Sequence, residues 1–453
     1  MTPNQARALD PAPALEVDPL LDDPATRIIV CCGAGGVGKT TTAAALGVRA
    51  AERGRKVVVL TIDPARRLAQ SMGIDRLDNV PRRVDGIEGG GELHAMMLDM
   101  KRTFDEIVEA HADPERARAI LGNPFYQSLS AGFAGTQEYM AMEKLGQLQA
   151  RDEWDLIVVD TPPSRSALDF LDAPKRLGSF LDGTFIKLLM APAKVGGRAG
   201  LKFLNVGMSM MTGTLGKLLG GQLLRDVQTF VAAMDTMFGG FRTRADATYR
   251  LLQAPGTAFL VVAAPERDAL REAAYFVERL AAERMPLAGL VLNRVHESGA
   301  ARLSAERALA AAEVLDGEHA ENLDECRIVD QGDGKTGVRG GHDDSPSGAT
   351  TSPEPPPASP TSDALVEVSP AVAQVTAGLL RLHAERMQVL ARERRTRDRF
   401  AALHPEVAVA EVAALPGDVH DLAGLRAIGD RLATANASGD ATAGGAGATG
   451  GTR

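Results

Sequence analysis

Two hydrophobic rhythms alternate along this chain. Short, nearly unbroken Val/Ile/Leu runs fall at about 27–32, 56–62, 92–98, 155–159, 257–263, 287–293 and 406–413. Runs without polar interruption are expected of strands covered on both faces. Between them lie longer stretches of helical character. Residues 41–53 are Ala-rich, become charged toward their end and are followed by Gly54, a helix stop. The alternation predicts an α/β fold, a doubly wound and mostly parallel sheet.

Two regions break the rhythm. Residues 100–151 and 172–252 contain no clear strand and read as a helical subdomain inserted into the sheet fold. The second is rich in methionine, leucine and phenylalanine with interleaved glycines, for example Phe180, Phe185, Met190, Met208, Met210, Met211 and Leu224. Two readings stay open for it, ordinary helical core or a groove for apolar partners. Methionine is over-used on adaptable binding surfaces, and glycines disfavour a rigid core helix. Residues 330–363 are rich in Gly, Asp, Ser, Thr and Pro and predict a disordered insert. The expected organisation is a disordered tail over 1–26, an α/β core with the helical subdomain over 27–329, the insert, a helix–strand–loop over 364–433 that completes the core, and a disordered tail over 434–453.

Composition narrows the class. The net charge is −9 over 453 residues, so bulk electrostatics does not suggest nucleic acid. No apolar run reaches the roughly 18 residues that a membrane span needs. The first residues lack the pattern of a secretory signal. The expectation is a soluble, cytoplasmic protein that is not an integral membrane protein. There are three cysteines, Cys31, Cys32 and Cys326. The first two sit in the first strand and should point to opposite faces as small core residues. With no C-x-x-C pair, a thiol–zinc site is not expected.

The candidate chemistry begins at Gly33-Ala34-Gly35-Gly36-Val37-Gly38-Lys39-Thr40, followed by Thr41. The pattern is G-x-x-x-x-G-K-T between a predicted strand and a predicted helix. Glycines there let backbone N–H groups cradle phosphates, Lys39 would reach the β- and γ-phosphates, and Thr40 would hold Mg²⁺. The helix that follows would turn its positive end to the same phosphates. Two carboxylates stand at strand ends. Asp160 closes the apolar run Leu156-Ile157-Val158-Val159, and Asp63 closes Leu60-Thr61-Ile62. Carboxyl ends of strands are where such sheets bind ligands. Asp160 is assigned to the Mg²⁺ shell and Asp63 to the attacking water, with Asp63 also near the metal.

The three nucleotide segments in order resemble the ArsA-type ATPases, which belong with the MinD/ParA-like deviant Walker ATPases. Thr61-Ile62-Asp63-Pro64-Ala65 is similar to switch I, and Asp160-Thr161-Pro162-Pro163-Ser164 to switch II. The likeness extends through Val291-Leu292-Asn293-Arg294, where the family sets an Asn against the adenine. It continues through Leu415-Pro416-Gly417-Asp418-Val419, similar to the adenine-side loop, and spans about 27–431 apart from the insert. The resemblance implies ATP and ADP as ligands, Mg²⁺ as cofactor, hydrolysis of ATP, and Asn293, Arg294, Pro416 and Val419 in the nucleotide site. It also implies a homo- or heterodimer with a related ATPase and a hydrophobic membrane-protein client. Departures accompany it. Ala34 stands where the family's signature lysine reaches a partner's nucleotide. Arg66 replaces a switch I His, Arg165-Ser166 replace Gly-His in switch II, and the family's zinc and arsenite cysteines are missing. The alternative is a weakly catalytic or non-catalytic regulatory subunit of an anion-transport or membrane complex.

Overall fold

The computed structural model describes residues 13–62, 66–124, 126–127, 136–162, 240, 243–328 and 369–434. Asp63, the switch II residues from Pro163 onward, most of the second helical region, the 330–363 insert and the C-terminal tail from 435 lie outside the described residues.

The first of two compact units comprises Met1–His296 with Glu393–Arg453. Its centre is an eight-stranded sheet in the order β3-β4-β2-β5-β1-β6-β7-β8. The strands are β1 (Ile28–Gly33), β2 (Lys56–Thr61), β3 (Arg82–Arg83), β4 (Glu92–Met97), β5 (Leu156–Asp160), β6 (Thr257–Ala263), β7 (Leu287–Val295) and β8 (Val409–Ala413). Every pairing is parallel except β3 on β4. The seven predicted strands are all present, and β3 is an addition that no apolar run announces.

The central parallel strands β2, β5, β1 and β6 are buried on both faces, so their successive residues feed two different cores. Ile28, Val30 and Cys32 of β1 pack on one side with Tyr139, Met142 and Leu145 of the helix Thr136–Ala150 and with Phe276 of the helix Arg267–Ala282. Ile29 and Cys31 pack on the other side with Ala43, Leu46 and Ala50 of α2 (Lys39–Glu52) and with Leu425 and Leu432 of the helix Leu422–Thr434. The two cysteines therefore point to opposite faces, as the alternation of a strand requires.

Local sequence sets the helix ends. Gly54 follows α2 with φ +98°, and its N–H returns to Ala51. Asp99 and Asp113 cap Met100–His111 and Pro114–Leu121 by accepting from the N–H of Arg102 and Arg116. These two helices and Thr136–Ala150 make up the expected helical region after β4. Of the later helical region, residues 243–252 are described and helical.

The expectation of a disordered tail over 1–26 needs correction for residues 13–26. Ala14 bridges to Val409 beside the edge strand β8, and the N–H of Leu15 donates to the Val409 carbonyl at 3.1 Å. A short helix, α1 (Val17–Asp22), buries Val17 and Leu21. Its Asp18 accepts from Arg49 of α2 at 2.5 and 2.7 Å, and its Asp22 pairs with Arg53. Apolar residues at helical spacing, opposite acids that find arginines on α2, give this segment enough contact to fold.

The second unit, Glu297–Arg392, was expected to be part of the core but is compact in its own right. It contains the helix Ala305–Ile328 and the start of the helix Pro370–Leu403. Ala308, Ala312, Ala373, Ala377 and Ala384 are buried in it. Arg381 donates to Asp316, and a His383 ring nitrogen lies 2.8 Å from the Leu303 carbonyl.

Candidate functional site

The site lies at the carboxyl edge of the sheet, around the end of its central strand. β1 runs into the loop Gly33–Gly38, and the loop turns directly into α2. Two glycines are dictated by geometry. A Cβ on Gly33 would stand 2.1 Å from the Val262 carbonyl oxygen of β6, so only glycine lets β1 leave the sheet there. Gly38 sits at φ +95°, and a Cβ on it would stand 2.2 Å from the amide nitrogen of Asn293.

Under the loop, Ala34 and Val37 are 8% and 4% exposed and belong to the core around α2. Gly35 and Gly36 are exposed above it. Lys39 is 6% exposed, and its Nζ donates to the Ala34 carbonyl at 2.7 Å. The ammonium is thus folded back over the loop. Thr40 Oγ1 donates to Asp160 Oδ2 at 2.7 Å, and Thr61 Oγ1 donates to the same oxygen at 2.9 Å. Asp160 itself is fully buried. β5 pairs with both β1 and β2, and this places the carboxylate between the loop and the end of β2. Thr161 seals the floor through its hydroxyl, which donates to the Cys31 carbonyl at 2.9 Å. Burial pushes both thiols of β1 up, that of Cys32 to about 12, so they are inert apolar packing.

A cavity of about 1140 Å³ opens above this floor. Gly36, Gly38, Lys39, Thr40, Thr41 and Thr161 line one side. Asn293, Arg294, Pro416 and Val419 line it as well. The structure thus brings together the loop and both candidate adenine-side segments, while Asp63 falls outside the described residues. Asn293 has a second task besides facing the cavity. Its amide nitrogen donates to the Val37 carbonyl at 2.8 Å and straps the end of β7 to the phosphate loop. Arg294 follows with φ +61°, a left-handed backbone that costs a non-glycine residue about 1 kcal/mol or more.

Sequence reasoning missed several wall residues. Ala264, Pro265 and Glu266 directly follow β6, and the rule that ligands meet carboxyl ends of strands could have found them. His296 and Glu393 also line the cavity, with His296 Nδ1 2.5 Å from Glu393 Oε1 and the His296 N–H donating to Oε2 at 3.2 Å. No spacing announces that pair.

Comparison with known proteins agrees with this geometry. The profile of the anion-transporting ATPases, the ArsA family, matches residues 26–316. The chain belongs to the ArsA ATPase family. Among curated relatives, it is 31% identical over 158 residues to the ATPase GET3 of Malassezia globosa, a match covering 35% of this chain and 45% of that protein. It is 26% identical over 277 residues to the ATPase GET3 of Podospora anserina, covering 61% of this chain and 75% of the relative. The ATPase GET3 of Ajellomyces dermatitidis is 24% identical over 279 residues with the same coverages. The first match thus spans less than half of its relative. No helix among the described residues of this ArsA-family ATPase is long and apolar enough to cross a membrane.

Proposed function

We propose that this ArsA-family ATPase binds MgATP in the cavity, hydrolyses it, and acts as a nucleotide-driven switch. The observation that carries the reading is the 2.7 Å contact of Thr40 with the buried Asp160, beside Lys39. A hydroxyl and a carboxylate are hard oxygen donors, which suit magnesium. Magnesium at such sites keeps water and phosphate oxygens for its other positions. The donor set therefore fits, and no cluster of three or more His, Cys, Asp or Glu is needed or found among the described residues. When bound, the metal supplies neutralisation of charge on the β- and γ-phosphates.

The chain's own residues do the rest. Backbone N–H groups from Gly36 to Thr41 bind and orient the phosphates at the positive end of α2. Lys39 exchanges the Ala34 carbonyl for a phosphate oxygen. Asp63 orients the attacking water. Asn293, Arg294, Pro416 and Val419 hold the base and its ribose, and Asn293 keeps the phosphate loop in register with them.

Ala34 leads to the second part of the proposal. Its methyl group is packed in the core of this chain, so it carries no charge to a partner's γ-phosphate. Trans-acting cations of this kind are worth orders of magnitude in rate. A dimer with a related, non-identical ATPase that brings the missing cation answers this. The helical regions are the place for a hydrophobic membrane-protein client, and the cytoplasm is the compartment. The same alanine favours one second reading, a weakly catalytic regulatory subunit of a membrane complex.

Three measurements test this. Lys39→Ala should reduce nucleotide affinity at least a hundredfold, and unchanged affinity would refute the site. Turnover should rise when a paralogue with lysine at the Ala34 position is co-expressed. Full turnover alone, lost in Arg66→Ala or Arg165→Ala, would replace the partner with a cation in cis. MgATP binding without turnover in either case would select the regulatory reading. Capture of a hydrophobic helix in an ATP-dependent manner would support the client.

A further inference from the structure

β2 sends its side chains alternately into two cores. Val58 and Leu60 enter the one that holds the helix Thr136–Ala150, and Val57 and Val59 enter the one that holds α2. The next place on the α2 side belongs to Thr61, which is fully buried. Threonine and valine are branched alike at Cβ, so the hydroxyl is what sets this position apart from Val57 and Val59. A buried hydroxyl is costly unless it finds a hydrogen-bond partner. Here the partner is a carboxylate, since Thr61 Oγ1 donates to Asp160 Oδ2 at 2.9 Å.

Strand register brings the two together. Thr61 ends β2, Asp160 ends β5, and the two residues are partners in the parallel pairing of those strands. Asp160 follows Leu156 and Val158 on the α2 side of the sheet. Thr40 stands in the first turn of α2 and donates to the same carboxylate oxygen at 2.7 Å. One oxygen of Asp160 is therefore held by two hydroxyls that come from two different elements. Their places differ. Thr40 borders the cavity, whereas Asp160 and Thr61 are fully buried behind it. From the cavity inward the order is Thr40, Asp160, Thr61. Groups that back a metal ligand are themselves held by hydrogen bonds, and losing such an outer partner typically costs about 10- to 100-fold in metal affinity.

We infer that Thr61 is a positioning residue for magnesium: its hydroxyl fixes the rotation of the Asp160 carboxylate, and through it the aim of the Thr40 hydroxyl at the metal. The inference rests on the assignment of Thr40 and Asp160 to magnesium. It adds the end of β2 to the metal site, while the phosphate contacts of the loop and of Lys39 do not pass through it.

The test uses the full chain and reads binding, not turnover. A fluorescent ATP analogue that resists hydrolysis is titrated at rising free Mg²⁺, and once more in excess EDTA. Thr61→Val keeps the branched shape and removes the hydroxyl. It should raise the Mg²⁺ concentration for half-maximal effect about tenfold and leave the affinity in EDTA within about twofold. Thr61→Ser keeps the hydroxyl without the methyl group and should hold the Mg²⁺ dependence within about twofold of wild type. Thr61→Ala also lacks the hydroxyl and should show the same shift, which covers the case in which the valine variant folds poorly. In an Asp160→Asn background, Thr61→Val should add nothing further. Wild-type Mg²⁺ dependence in both the valine and alanine variants, with Asp160→Asn impaired, would overturn the role of Thr61 alone. An equal loss in EDTA, or a serine variant as impaired as the valine one, would reduce Thr61 to a packing contact and overturn it as well. A further shift in the Asp160→Asn background would show that Thr61 acts by another route. Wild-type Mg²⁺ dependence in Asp160→Asn by itself would remove the assignment of Asp160 to magnesium, and this role with it.

Discussion

Gly38→Ala should damage the phosphate loop by two routes that can be separated. Gly38 caps α2 with φ +95° and ψ 24°, a left-handed conformation that costs an alanine about 1 to 2 kcal/mol. The new Cβ would also stand 2.2 Å from the Asn293 amide nitrogen, so that side chain must swing away and abandon its bond to the Val37 carbonyl. The lost bond is worth about 1 kcal/mol. The residual overlap adds about 1 kcal/mol more. The expected destabilisation is about 3 to 4 kcal/mol. Asn293→Ala alone loses the same bond but creates no overlap, and should cost about 1 kcal/mol. In the double variant the overlap vanishes and the bond is lost only once. The double variant should therefore be more stable than the sum of the singles predicts, by about 2 kcal/mol. Urea unfolding followed by tryptophan emission is the assay. Trp154 is the chain's one tryptophan, is 6% exposed just before β5, and meets the His94 ring edge-on at 4.8 Å. Losses that add within about 0.5 kcal/mol would refute the claim that Asn293 fills the space beside Gly38.

Two further outcomes follow from charge and burial. The Arg49 guanidinium holds the Asp18 carboxyl below its ordinary range, so this pair contributes stability at pH values above about 4 and loses it as the pH falls through the depressed folded-state value. Asp18→Asn should therefore cost about 1 kcal/mol at pH 7 and progressively less as the pH falls below about 4, and a cost in urea midpoint that does not shrink between pH 7 and pH 3 would contradict this. In a Cys326→Ser chain, Cys31 and Cys32 should resist thiol reagents until denaturant is added, because both are buried and their thiolates are disfavoured; rapid labelling of the native chain would mean that β1 opens.

Much of the architecture could be read from the chain because a strand buried on both faces must be apolar without interruption. Ile28 to Cys32 and Leu156 to Val159 are of this kind, and the phosphate loop between strand and helix identified the site. Three elements escaped for physical reasons. The segment around α1 hides Val17, Leu20 and Leu21 among prolines and acids, and its partners lie on β8 and α2, at the far end of the chain and in the loop's own helix. β3 is two exposed arginines and carries no apolar pattern. The pair of His296 and Glu393 joins residues far apart in sequence, so no local spacing encodes it. Asn293 was legible as a nucleotide-side residue, but its strap to Val37 depends on β7 lying two strands from β1, which is a property of the finished sheet.

The strand order also fixes when the site comes into being. β1 and the phosphate loop are made well before their sheet neighbours, since Ile28 pairs with Ile157 on one side and Thr257 on the other. At ordinary elongation rates of about 5–20 residues per second, the loop waits on the order of 10 to 50 s for β6. The far wall waits longer, because Pro416 and Val419 come after β8. β8 is also the strand that Ala14 and Leu15 grip, so the segment around α1 is fastened only after residue 409 has been made. Until then an apolar strand and an open row of amides stand exposed. In this order of assembly the cavity is walled in only once residues 413–428 have been made.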